Sequence, residues 1–111
     1  GEAYFSTINN GEIKGWNKHK MMTLNLIVPL GEVTFVICDR RESSQSNGKA
    51  FKVTLSKANY KRLTVPPRLW IAFKGNGIDT NLILNIANME HDPDEIEKID
   101  LEKFPYDFNS D

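Results

Sequence analysis

The sequence predicts an all-β sandwich or barrel. Apolar and polar residues alternate over short runs, turn-forming residues recur at a spacing near ten, and helical periodicity is nearly absent. Seven or eight short strands so spaced are the pattern of a closed or double-layered β-fold. At 111 residues the chain is sized for one domain spanning 1–111 around one core. A composition of 40% hydrophobic and 26% charged residues belongs to an ordinary globular protein and not to a disordered or fibrous one. The longest unbroken apolar stretch, Leu26 to Leu30, is far shorter than the ~20 residues of a membrane-spanning helix, so no membrane partner is expected.

In residues 23–30, Leu24, Leu26, Val28 and Leu30 share one parity, as a half-buried strand requires. Residues 33–39 are apolar on both parities, which marks a central strand. Phe51, Val53 and Leu55 alternate with Lys52 and Thr54, and further strands are expected at 62–65, 70–74 and 81–88. Residues 13–20, read as a strand, place Ile13, Gly15, Asn17 and His19 on one face and Lys14, Trp16, Lys18 and Lys20 on the other. Turns fall at Asn9-Asn10-Gly11, Pro29-Leu30-Gly31, Ser43 to Gly48, Pro66-Pro67 and Gly75-Asn76-Gly77. Helix is expected once. Asp92, Pro93 and Glu95 form a capping-box pattern that predicts one or two turns ahead of Ile96 and Ile99, with His91 just before it as a surface loop residue.

The net charge of −1 hides an asymmetry. Residues 40–74 carry nine Lys or Arg against Glu42, whereas the tail, residues 90–111, carries nine acids against Lys98 and Lys103. The basic body either steers a phosphorylated anion or consists of solvated charges on alternate strand positions. A nucleic-acid partner is the weaker choice, because no stacking motif, zinc spacing or DNA-reading helix accompanies the charges.

The chemistry narrows by elimination. One cysteine, Cys38, and two histidines 72 positions apart give no local metal-ligand spacing, so no metal site is expected. No nucleophile elbow, Walker loop or dinucleotide fingerprint is present. The lone cysteine, together with the absence of an apolar run behind a charged flank, sets the expectation of a cytoplasmic protein.

Five segments in order carry a more specific signal: Lys14-Gly15-Trp16-Asn17-Lys18-His19, Leu30-Gly31-Glu32-Val33 with Asp39-Arg40, Leu55-Ser56 with Asn59-Tyr60, Val65-Pro66-Pro67, and His91-Asp92-Pro93. Together, over residues 11–95, they resemble the dTDP-4-dehydrorhamnose 3,5-epimerase family. The resemblance implies a cupin-type jelly roll, a homodimer, and an epimerase or isomerase working without metal or other cofactor. Its implied substrate is a nucleotide-linked 4-keto-6-deoxy sugar in dTDP-rhamnose-type surface polysaccharide biosynthesis.

In that family a general base removes the proton beside the ketone, a donor stabilises the enolate oxygen, and an acid on the opposite face returns a proton. The family's basic histidine falls at Asn17, which cannot abstract a proton. The nearest imidazole is His19, one step along the same face, about 6–7 Å away at ~3.3 Å rise per residue. The family's lysine falls near Leu24, its aromatic acid near Asn85, and the late carboxylate that supports the base beyond the chain's end.

His19 is therefore the candidate catalytic residue, against the alternative of a satisfied interior histidine. Lys14 and Arg40 are candidate diphosphate partners or surface charges. Trp16 and Trp70 are candidate stacking surfaces or packing residues. Asn17 and Asn85 complete the candidate substrate-binding set, while Tyr60 is expected to pin its turn. The competing functional class is a catalytically silent jelly roll that binds a sugar nucleotide or carbohydrate, or a structural partner of a glycan-assembly enzyme.

Overall fold

The computed structural model describes residues 2–104 and 106–108; Asp111 of the acidic tail lies outside them. Among the described residues nine strands form two antiparallel sheets: β1 (Glu2–Ile8), β2 (Ile13–His19), β3 (Leu24–Leu30), β4 (Glu32–Cys38), β5 (Ala50–Ser56), β6 (Leu63–Val65), β7 (Trp70–Gly75), β8 (Asn81–Ala87) and β9 (Ile96–Lys98). One sheet runs β1-β8-β3-β6 and the other β5-β4-β7-β2-β9. This is the two-layered β-fold that the strand spacing predicts and the cupin-type jelly roll that the resemblance implies. Among the described residues no helix is long and apolar enough to cross a membrane.

The inward parities of both sheets meet in one apolar core built around Ile8, Leu24, Leu26, Val28, Val33, Phe35, Leu55, Ile71 and Ile83. Strand β4 lies between β5 and β7, and it is apolar on both faces because both are covered. Its second face meets a smaller cluster of Trp16, Val36, Cys38, Trp70 and Ala72, roofed by Ile99, Leu101, Phe104, Tyr106 and Phe108. The tail thus returns over the outside of the five-stranded sheet, where Phe104 packs edge-on against Trp16 and Trp70 at 5.9 and 5.5 Å.

The segment expected to form one or two helical turns forms one. Asp92 caps as predicted, its carboxylate accepting from the Asp94 N–H at 3.0 Å, with Pro93 in the first turn. The helix is nonetheless a single 3-10 turn, Pro93–Glu95, and Ile96 then enters β9. Register explains the change: the outer edge of β2 is open, and Asn17, Lys18 and His19 pair there with Lys98, Glu97 and Ile96. A ladder on an existing edge satisfies more backbone groups than one further turn of isolated helix. At the Ser56–Tyr60 turn, Asn59 is the pin, donating from Nδ2 to the Thr54 carbonyl at 2.8 Å, while Tyr60 projects into solvent.

Strand β2 changes register between Lys14 and Asn17, and Gly15 at this irregularity has a φ of 148°. A Cβ there would stand 2.5 Å from the Ala72 Cβ on the neighbouring strand. Gly15→Ala is therefore expected to destabilise the fold by about 1–3 kcal/mol through overpacking, read as a lower urea midpoint at unchanged slope. A midpoint equal to that of the parent would refute the close-approach account.

Candidate active site

Between the two sheets lies an open cavity of about 210 Å³. Its apolar wall comes from the core: Met22, Leu24, Leu26, Phe35, Ile71, Phe73 and Ile83. Its polar wall is Tyr4, Ser6, Asn17, His19, Asn85 and His91. An apolar cleft with a few convergent polar groups is the usual form of a small-molecule site.

Strand alternation puts Asn17 and His19 on the inward face of β2, as the sequence predicts. The His19 imidazole is oriented from behind: Nδ1 bonds to the Glu95 carboxylate. The second Glu95 oxygen accepts from the N–H groups of Met21 and Met22, each at 3.1 Å. With Nδ1–H committed to a carboxylate, the lone pair of the neutral ring sits on Nε2, the nitrogen left to act on a ligand. Burial raises the Glu95 carboxyl, but His19 and the two backbone N–H groups outweigh it, so it titrates below its ordinary 4.5 and stays ionised at neutral pH.

Glu95 is thus the carboxylate that supports the imidazole. The capping-box role expected of Glu95 is thereby corrected. Its side chain is buried beneath β2, at 3% exposure, instead of folding back on Asp92. The 3-10 turn that delivers it is held by Lys20 N–H to the Glu95 carbonyl at 2.7 Å and by Lys20 Nζ to the Asp94 carbonyl at 3.2 Å.

Asn85 enters from the opposite sheet. The Asn25 N–H donates to its Oδ1 at 3.0 Å, which leaves the Asn85 amino group to donate elsewhere. Tyr4 and Ser6 come from β1, a strand the sequence analysis did not name, and Tyr4 pairs directly with Asn85. His91 is exposed in its loop, as expected, and it also borders the cavity.

Four candidates stand elsewhere. Trp16 and Trp70 occupy the outward faces of β2 and β7 under the tail, and Trp16 Nε1 donates to the Phe104 carbonyl at 3.1 Å. The Arg40 guanidinium lies 4.2 Å from the Phe104 ring centroid, beside a separate hollow of about 260 Å³. Lys14 Nζ donates to the Thr7 carbonyl at 2.8 Å, tying β2 to β1. None of these four lines the cavity, because their strand parity or turn position points them away from the core.

No family model matches the sequence. Among solved structures, a dTDP sugar isomerase from Desulfovibrio desulfuricans G20 superposes with a TM-score of 0.93 at 33% identity, over 100% of this chain and 73% of that one. A dTDP-4-dehydrorhamnose 3,5-epimerase from Sulfolobus tokodaii shares the fold at a TM-score of 0.81 and 21% identity, over 97% of this chain and 62% of its own. A probable low-salt glycan biosynthesis epimerase of Haloferax volcanii is 29% identical over 106 residues, which cover 95% of this chain. The chain spans 66% of the length of that curated relative. With a likeness of this extent to the dTDP sugar isomerase, the chain belongs to the family of dTDP-sugar isomerases and shares the fold of the dTDP-4-dehydrorhamnose 3,5-epimerases.

Proposed function

We propose that the protein is a sugar-nucleotide epimerase or isomerase in which His19, braced by Glu95, moves the proton on a carbon beside the ketone of a dTDP-linked 4-keto-6-deoxy sugar. The observation that carries this reading is the imidazole–carboxylate pair at the cavity wall. A base is useful only if its tautomer and direction are set beforehand, and Glu95 sets both. The relatives supply the ligand class: a Legionella pneumophila epimerase of the same fold was solved with dTDP-4-keto-L-rhamnose. The cavity is of sugar size, so the sugar enters it and the nucleotide lies at the mouth.

In the step we propose, the lone pair on His19 Nε2 takes the carbon-bound proton, and the C–H electron pair forms the enolate with its charge on the ketone oxygen. Asn85 and Asn17 are the amide donors available to that oxygen, in place of a cationic donor. Base and donors act from sites preset by the sheets, so little reorganisation accompanies charge development.

The homodimer and the cytoplasm belong to the same reading. Outward-facing Phe5, Leu84 and Ile27 form a cross-strand apolar row on the four-stranded sheet, with Ala3 beside Ile86. Phe5 is 66% exposed and Ile86 47%. The five-stranded sheet has its outer face covered by the chain's own tail, and a second copy is the cover we propose for this one. Cys38, buried and unpaired, suits a reducing compartment.

Incubated in heavy water with a dTDP-4-keto-6-deoxyglucose, the parent is expected to gain deuterium at C3 or C5, and His19→Gln to lose that exchange by about 10²–10⁴-fold. Saturable binding without label in the parent would instead identify a binding protein. Glu95→Gln, which cannot hold the charged partner, is expected to lower exchange at least tenfold with little change in dTDP affinity. Because the folded Glu95 carboxyl titrates below 4.5, its stabilisation is complete above that pH and withdrawn as pH falls through the lowered value. The parent's melting temperature should therefore drop more steeply in acid than that of Glu95→Gln, and parallel curves would count against the buried pair. Phe5→Lys with Leu84→Lys should convert a dimer to monomer in sedimentation equilibrium; an unchanged mass would place the interface elsewhere.

A further inference from the structure

The hollow of about 260 Å³ beside Arg40 lies on the outer side of the five-stranded sheet, where the tail packs over Trp16. Its walls are aromatic: Trp16 from β2, with Phe104 and Tyr106 from the tail. Its rim is cationic, formed by Arg40 and by Lys103 of the tail. Ala50, the cross-strand partner of Cys38, lines the β5 side with a single methyl group. A Cβ built on Gly48, which also lines the hollow, would meet nothing within 4 Å, so the space is open beside that turn.

Among the described residues neither Arg40 nor Lys103 makes an ion pair. The carboxylate nearest in sequence, Asp39, is committed elsewhere: it accepts from the Arg41 guanidinium at 3.0 and 2.8 Å, from Ser44 at 2.7 Å and from Ser46. The Arg40 guanidinium instead lies 4.2 Å from the Phe104 ring centroid, a contact that positions the group and leaves its charge intact. Burial holds the Cys38 thiol above its ordinary value, so it is neutral at pH 7 and offers Arg40 no counter-charge. Single exposed cations are commonplace on a protein surface. Two on the rim of one aromatic-walled hollow are a matched set: the rings receive a planar group, and the guanidinium fork receives an anion.

We propose that this hollow is a second binding site, one that takes a small aromatic anion: a planar ring bearing a carboxylate or a phosphate. The ring lies against Phe104 and Tyr106, and its anionic group meets Arg40 and Lys103. Removal of the ring from water supplies affinity, and the charge-assisted bonds select for the anion. The inference is independent of the epimerase reading. The hollow and the catalytic cavity lie on opposite faces of the five-stranded sheet and share no lining residue, so an occupant here leaves the cavity free.

The test is a nitrogen-proton NMR titration of the full chain, in which the Trp16 indole N–H reports on the hollow and the Ser6 and Asn85 backbone amides report on the cavity. The probes are naphthalene-2-carboxylate and 2-naphthyl phosphate; naphthalene-2-carboxamide, which has no charge, and cyclohexanecarboxylate, which has no aromatic ring, are the controls. At least one probe is expected to shift the Trp16 indole signal saturably at or below about 1 mM, with Ser6 and Asn85 unmoved, and the tighter probe names the anion. Each control is expected to bind at least about tenfold more weakly, as is the better probe to Arg40→Gln. Ala50→Phe, which fills the hollow from β5, should abolish the shift while the Ser6 and Asn85 signals keep their parent positions. Should Ala50→Phe fail to fold, the surface change Arg40→Gln carries the test by itself. Saturation by neither probe, a carboxamide that binds as tightly as the anions, parent-like binding by Arg40→Gln, or shifts at Ser6 and Asn85 in place of Trp16 would each overturn the site.

Discussion

The site depends on one buried carboxylate. Glu95 accepts from His19 and from the N–H groups of Met21 and Met22, satisfying the turn after β2 and the imidazole at once. A charge so placed is tolerated only with several donors around it, and here the donors come from a segment more than 70 residues earlier. The same contact therefore closes the sheet at β9, orients the proposed base and brings the tail to the outer face.

Strand β2 works on two sides. Its inward residues meet the cavity, while Trp16 on its outer side is enclosed by the tail with its indole N–H satisfied. An apolar outer face makes the five-stranded sheet stiff beneath the site, and side chains locked by packing hold a proposed catalytic group within narrow limits. The two tryptophans thus act on the cavity by supporting the strands that carry Asn17 and His19.

Several replacements relative to the family pattern fall in the same cavity. At Asn17, where the sequence resemblance leads one to expect the base, stands an amide, and an imidazole on the same strand face, two residues on, is braced by its own carboxylate. At Asn85, near which the resemblance leads one to expect an aromatic acid, stands a second amide, and Tyr4 lies beside it on the neighbouring strand. Chemistry of this kind is specified by where functional groups meet in space, and a fold can keep the meeting point while changing the positions that supply it.

Much of the fold could be read from the sequence, because period-two alternation and turn residues are local signals. The strands from Ile13 to Ala87 and the inward parity of Asn17 and His19 follow from them. β1 escaped because its alternation is masked by polar residues at its half-exposed edge, and β9 because a capping pattern at Asp92 is equally compatible with one 3-10 turn before an edge strand. Parity could exclude or admit Trp16 and Trp70, but only the path of the tail shows that their face is covered. The pairing of His19 with Glu95 and of Tyr4 with Asn85 was decided by tertiary structure alone. Residues 76 and 81 positions apart meet only through sheet register and chain return, and no local spacing encodes either.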